Sequence, residues 1–249
     1  MDVSFDKSKN GYFSGTKEYR RVTRILSMFK QPFDREGISL DMARSKARSG
    51  QTVEEAQKEI LASWDDMRDS SVLHGNTLHG IAEEYLRNGY VTPGYEKLIS
   101  IIRKVMMEYK RPESEVISYL HSAMIAGTID LRCRRQSGKN SLVDYFDFKT
   151  NERRGIEYDS ISRKDGVVKH YNKMLLPPLS HLEDCNYNIY SLQISLYAYM
   201  DEMELGYKPG KLGILFISKN QSVKYLPVAY LRSDVEKIVE HVKNIKQLP

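Results

Sequence analysis

Through the first hundred or so residues the apolar side chains recur three or four apart, the spacing that lines one face of a helix. Tyr19, Val22, Leu26 and Phe29 set the first such stripe, and a turn-prone stretch from Pro32 to Gly37 follows it. Thr52 and Glu55 have the spacing of a capping box, and Val53, Ala56, Ile60, Trp64 and Met67 continue from it as one apolar stripe. Leu78, Ile81, Ala82 and Tyr85 predict a third helix over residues 76–87. Leu98, Ile101, Ile102, Val105 and Met106 predict a fourth over 95–109.

The period then changes from 3.6 to 2, which predicts strands over 115–120, 123–134 and 142–150 in an antiparallel meander. Ser137-Gly138 within residues 136–140 supplies the turn between the last two. Residues 151–188 mix charges with Pro177-Pro178 and show no period, so a long loop beside the site is expected. Beyond it the pattern predicts a helix over 190–205, a strand over 212–218 and an edge strand containing Pro227. A final helix starts from a second capping box, Ser233 with Glu236, and buries Val235, Ile238, Val239, Val242 and Ile245. No repeat or interdomain linker interrupts this order, so one α/β domain with a helical N-terminal region is the simplest architecture.

Composition narrows the classes. With 249 residues, 41% of them hydrophobic, the chain has enough apolar mass for a packed core, and disorder is not expected. No apolar run approaches the roughly 20 residues that cross a bilayer, and the first ten residues hold charges rather than an apolar block. A soluble, cytoplasmic protein without a membrane partner is the expectation, in the host cytoplasm if the chain is phage-encoded. Cys133 and Cys185 have no metal-binding spacing and read as reduced thiols. The net charge of +5 permits a polyanionic partner without requiring one. Basic residues gather at 17–24, 44–48, 132–135 and 153–154, each of which also suits a solvated face.

The candidate chemistry lies on the predicted strands. Alternation puts Thr128, Asp130 and Arg132 on one face, opposite Ile129, Leu131 and Cys133. Asp147 and Lys149 are two apart and share a face of the next strand. A hairpin would bring both aspartates to the same end of the sheet, where oxygen ligands suit Mg²⁺ or Mn²⁺. Such an ion activates water and neutralises charge on a phosphate, with a lysine orienting the nucleophile. A cross-strand salt bridge accounts equally for one Asp-x-Lys alone. His79 and Glu83 are one helical turn apart, and the imidazole is a possible further ligand. Gln193 and Tyr197 align with each other off the expected stripe of Leu192, Leu196, Tyr199 and Met203, as an ordinary polar face or as support for the lysine.

In order, Gly75-Asn-Thr-Leu-His79, Glu115, Gly127-Thr-Ile-Asp130, Asp147-Phe-Lys149 and Gln193-x-x-x-Tyr197 resemble the PD-(D/E)xK nuclease superfamily, and more narrowly its RecB-type exonuclease branch. Arg21-Val-Thr-Arg-Ile-Leu, Phe33-Asp and Trp64 add a looser likeness to phage-encoded and mitochondrial genome-maintenance exonucleases. The resemblance implies a restriction-endonuclease-like core over 71–249, a mixed sheet flanked by helices, with the helical region over 1–70 packed on it. It implies His79, Asp130, Asp147 and the Phe148 carbonyl as metal ligands and Lys149 as the catalytic lysine. Glu115 would act through a water, and Gln193 and Tyr197 would stand beside the site.

The expected activity is Mg²⁺-dependent hydrolysis of DNA from single strands or free ends, with Mn²⁺ able to substitute. The alternatives are a structure-specific or nicking endonuclease and a DNA-binding or assembly protein that does not cut. Arg132, Arg153, Arg154 and Lys173, with Lys164 and Lys169, are the candidate backbone contacts. The cysteine quartet of an iron–sulfur cluster is missing, and Gly206-Tyr-Lys-Pro-Gly-Lys-Leu is not a phosphate-binding loop, so neither cluster nor ATP is expected. Replication or recombination proteins are the partners the resemblance implies, and the oligomeric state stays open.

Overall fold

The computed structural model describes residues 2–48, 50–109, 112–137, 140–150, 155–164, 167–218 and 220–245. Strands β1 (Ser4–Asp6), β2 (Gly11–Ser14) and β3 (Lys17–Arg21) precede α1 (Val22–Ser27), α2 (Arg35–Lys46), α3 (Val53–Asn88) and α4 (Glu96–Met106). Then come β4 (Pro112–Leu120), β5 (Ile125–Ser137), β6 (Asn140–Thr150), β7 (Ile161–Lys164) and β8 (Val167–His170). The chain ends with α5 (Asn186–Leu205), β9 (Pro209–Ile217), β10 (Val223–Val228) and α6 (Arg232–Asn244).

Two compact units result, Pro32–Leu78 and the remainder of the chain, Met1–Gln31 with His79–Pro249. In the smaller unit, the Asp34 carboxylate caps α2 by accepting from the Gly37 amide at 2.9 Å. The Thr52–Glu55 capping box forms in both directions, at 2.9 and 3.1 Å, and starts α3. Arg35 bridges α2 to Asp65 at 2.7 Å, and Gln57 donates to Ser39 Oγ at 3.0 Å.

The larger unit is built on one eight-stranded sheet in the order β1-β2-β3-β5-β6-β9-β10, with β4 paired to β5. It is mixed: β3 with β5 and β6 with β9 run parallel, and the other pairs antiparallel. Parallel pairing of β6 and β9 requires a crossover, and residues 151–208 with α5 supply it. Helix α5 lies against one face, and Leu192, Ile194, Leu196, Ala198 and Met200 join residues of α1 and α6 in one core. On the other face α4 brings Met106 to Cys133 and the following Tyr109 to Phe146. Among the described residues, no helix is long and apolar enough to cross a membrane.

Several expectations are corrected. The region over 1–70 is not helical at its start: residues 4–21 make three strands, with Tyr12 opposite Tyr19 and both buried. A helical stripe and a short strand share apolar residues, and Tyr19 belongs to the strand. The two helices expected over 53–67 and 76–87 are one, α3. Ser71, in the expected gap, and Thr77, just beyond it, donate to the carbonyls of Met67 and Leu73, four residues back, and so are accommodated within the helix.

The expected loop over 151–188 contains the β7–β8 hairpin and an isolated bridge between Met174 and Glu183. Helix α5 buries every residue from Ser191 to Asp201, whereas Met203 is exposed, so Gln193 and Tyr197 point into the molecule rather than along a polar face. The second capping box does not form: α6 begins at Arg232, and the Leu231 amide at its N-cap donates instead to Ser195 Oγ of α5 at 3.1 Å.

Candidate metal and active site

Strands β5 and β6 pair from Ser137 with Asn140 up to Leu131 with Phe146, and the ladder stops one step before Asp130 would face Asp147. The residues 138 and 139 between them lie outside the described ones. Past that point the strands part, and the Phe148 amide donates to Asp130 Oδ2 at 2.7 Å. On the other edge of β5, β4 pairs Ser114 with Leu131 and Val116 with Ile129, which leaves Glu115 opposite Asp130. Glu115 has φ of 52°, in the left-handed region that is uncommon for a residue other than glycine. From within α3, His79 Nδ1 reaches to 3.5 Å from Asp130 Oδ2, and its ring packs edge-on with that of Phe148, centroids 5.8 Å apart.

Ligand atoms of His79, Glu115 and Asp130 thus all lie within 4.8 Å of one another. Asp147 lies near enough to Asp130 for the two carboxyl groups to feel each other's charge. Lys149 Nζ is 2.5 Å from Asp147 Oδ2 and 4.9 Å from the centre of the Tyr190 ring. Gln193 Nε2 lies 3.2 Å from both Asp147 Oδ1 and the Tyr197 hydroxyl. Gly127 makes room for this arrangement, since a Cβ there would stand 2.7 Å from the Tyr197 ring. Tyr12, on β2, meets Thr128 Oγ1 at 2.7 Å and closes the same end of β5.

The charges are held against their ordinary preferences. Burial lowers the His79 pKa, and the neighbouring Lys149 lowers it further, so the imidazole is neutral with a lone pair available. Burial raises Asp130, and it raises Asp147 to about 6 against the pull of Lys149, with Asp130 adding repulsion. Glu115 is pushed up to about 7 by desolvation, then by Asp130 and Glu83. Lys149 is raised because Asp147 and Asp130 outweigh its own burial. Three carboxyl groups with heightened proton affinity beside a neutral imidazole form a site that a divalent cation would relieve. The converging donor set also fits, being two carboxylates and one nitrogen, and beside it Asp147 Oδ2 is buried with an ion pair but without a well-directed hydrogen bond.

Of the residues anticipated from sequence, His79, Glu115, Asp130, Asp147, Lys149, Gln193 and Tyr197 come together here. Phe148 takes part through its amide and its ring. Glu83 pairs instead with Arg87 on its own helix. Arg132 is not a substrate contact: it is 7% exposed and is bound by Asp201 at 2.9 Å and Glu113 at 3.0 Å. Arg153, Arg154 and the Lys164 side chain lie outside the described residues. Lys173 is exposed, 5.7 Å from the Tyr171 ring centre.

Sequence reasoning missed Tyr190, which an i, i+3 spacing from Gln193 signals, and the contribution of Lys9 to a basic cleft. That cleft has a volume of about 750 Å³ and is lined by Lys9, Arg20, Arg21 and Arg24, with Glu18 as its acidic member. Arg20 is partly committed, donating to the carbonyls of Val242 and Ile245 at 3.0 and 3.1 Å. Comparison with protein-family models and with curated proteins finds no match for this chain.

Proposed function

We propose that this protein is a metal-dependent DNA nuclease with a PD-(D/E)xK-type core, acting as an exonuclease on single strands or free ends. One observation carries the reading: the Asp147–Lys149 pair, 2.5 Å apart, adjoins the His79, Glu115 and Asp130 cluster where β5 and β6 separate. A buried salt bridge alone would not need three further ligand-type groups with unfavourable burial around it. His79, Glu115, Asp130 and Asp147 would hold Mg²⁺ or Mn²⁺, which supplies charge neutralisation at a phosphate and a lowered pKa for water.

The protein groups have distinct tasks. Asp147 fixes the Lys149 ammonium, which orients the attacking water and meets charge developing on the phosphate oxygens. Gln193, itself set against Tyr197, fixes Asp147 from the other side. The Phe148 amide restrains one Asp130 oxygen, and the neutral His79 offers nitrogen rather than positive charge. The basic cleft at Lys9, Arg21 and Arg24 favours a polyanionic substrate.

The test is digestion of end-labelled linear single-stranded DNA beside a covalently closed single-stranded circle, with Mg²⁺, with EDTA, and with Lys149→Ala. Metal-dependent loss of the linear strand alone supports an exonuclease. Loss of both substrates turns the assignment to an endonuclease, and binding without cleavage of either removes the catalytic reading.

A further inference from the structure

Two exposed aromatic rings lie in the segment that leads into α5. Tyr158 is 49% exposed and Tyr171 45% exposed, both in the crossover that sequence periodicity left without structure. Tyr158 packs on Tyr187 of α5 with ring centroids 4.5 Å apart. Lys169 and Lys173 reach over Tyr171, at 5.2 and 5.7 Å from its ring centre. These rings are held in place. The Tyr171 amide donates to the Ser160 carbonyl at 2.8 Å, and the Lys173 amide to Ser160 Oγ at 2.7 Å. The segment of Tyr158 is pinned to α5 through Glu157 N–H to Asn186 Oδ1 at 2.7 Å and Tyr187 N–H to the Glu157 carbonyl at 3.1 Å.

The same helix leads to the candidate active site. Tyr187, Tyr190, Gln193 and Tyr197 follow one another three or four residues apart, on one side of α5. Tyr190 stands at Lys149, and Gln193 at Asp147. From Tyr187 to Gln193 is six residues, about 9 Å of helix axis at about 1.5 Å per residue. The ring of Tyr187 that backs Tyr158 therefore belongs to the same helix side that carries Tyr190 and Gln193 to Lys149 and Asp147.

We propose that Tyr158, backed by Tyr187, and Tyr171, flanked by Lys169 and Lys173, are a stacking platform for bases of single-stranded DNA on its way to the candidate active site. This rests on the nuclease reading for its position but not for its chemistry. Unpaired bases expose π faces that a duplex keeps in its own stack, and exposed tyrosines are the complementary surface. The two ammonium groups at Tyr171 bring positive charge to the same place, which a phosphate backbone would draw to itself. Both rings are about half exposed and neither belongs to the core around α5, so replacing them leaves the fold intact.

The experiment measures the affinity of the full-length chain, in EDTA, for fluorescent oligo(dT) and for a duplex of equal length. Tyr158→Ala and Tyr171→Ala are expected to weaken oligo(dT) binding at least about fivefold each, the low end for loss of one stacked base. Tyr158→Phe and Tyr171→Phe are expected to bind as wild type does, and duplex affinity to stay unchanged in all four variants. Unaltered oligo(dT) affinity in the alanine variants overturns the platform, as does an equal loss on duplex. Tighter binding of the corresponding oligo(U) strand overturns the assignment to DNA. Since no cleavage occurs in EDTA, a failed platform with intact Mg²⁺-dependent digestion leaves the nuclease reading standing, and the converse result leaves only the platform.

Discussion

The Phe148 amide, released from the β5 ladder, donates at 2.7 Å to Asp130 Oδ2 across the opening between the two strands. The end of regular pairing is therefore itself part of the site. It leaves a backbone donor that fixes one carboxylate, and it gives Asp130 and Glu115 a common space with His79. Asp130→Asn should lower Mn²⁺ affinity at least about tenfold while keeping the Phe148 hydrogen bond, because an amide oxygen still accepts but carries no charge. Calorimetric titration with Mn²⁺ measures this, and unchanged affinity would exclude Asp130 as a ligand.

Gly127→Ala places a Cβ 2.7 Å from the Tyr197 ring and 3.1 Å from a Val22 methyl. Neither neighbour is at liberty to retreat, since Tyr197 and Val22 are both buried. Overpacking of this kind costs about 1–3 kcal/mol. Urea denaturation should show that loss, together with weakened cleavage as Tyr197 shifts away from Gln193.

Arg132→Ala should destabilise the protein by about 3–5 kcal/mol, the cost of leaving a buried charge without its partner. The uncompensated group is Asp201, 1% exposed, which also accepts from Ser118 at 2.7 Å and from Tyr145 at 3.2 Å. A variant with native stability and reduced DNA affinity would instead restore Arg132 to the substrate surface.

Metal binding should depend on pH with a definite sign. Folding raises the pKa of Asp147 to about 6 and that of Glu115 to about 7, so the metal-free protein favours their protonated forms. Their contribution to stability is present at low pH and lost as pH rises from near 4 through 7. The lowered pKa of His79 acts in the opposite sense, its contribution being lost as pH falls. A cation competes with the protons, so the rise in Tm produced by Mg²⁺ should be larger at pH 8 than at pH 5.5. Equal rises at both values would contradict ligation by Asp147 and Glu115.

Arg21→Ala combined with Arg24→Ala should reduce the salt dependence of DNA binding by about one unit of log–log slope for each phosphate contact removed. Binding isotherms across a salt series read this directly. An unchanged slope would mean that the backbone passes elsewhere.

Much of this was present in the sequence because it depends on local spacing. Asp147 and Lys149 share a face through the two-residue strand repeat, the capping box at Thr52 and Glu55 is a four-residue motif, and the stripe of α6 buries Val235, Ile238, Val239 and Val242 as its period requires. The alternation around Asp130 likewise separated it from Leu131 and Cys133, both fully buried.

What local spacing could not determine was which surfaces meet. Gln193 and Tyr197 looked like a polar helix face because the burial of α5 on all sides depends on the sheet, α1 and α6 closing around it. Arg132 looked like a phosphate contact because Asp201, 69 residues away, is invisible to any short window. Strands β1–β3 were hidden because apolar residues too few to establish a period fit two, and only pairing with one another and with β5 selects the strand. By itself the sequence determined the identity of the acidic, basic and imidazole groups and their faces on each element. The tertiary structure alone decided where β5 and β6 part, because the end of a ladder is set by long-range packing. That parting gathers His79, Glu115 and Asp130 around one space, with the Asp147–Lys149 pair beside it.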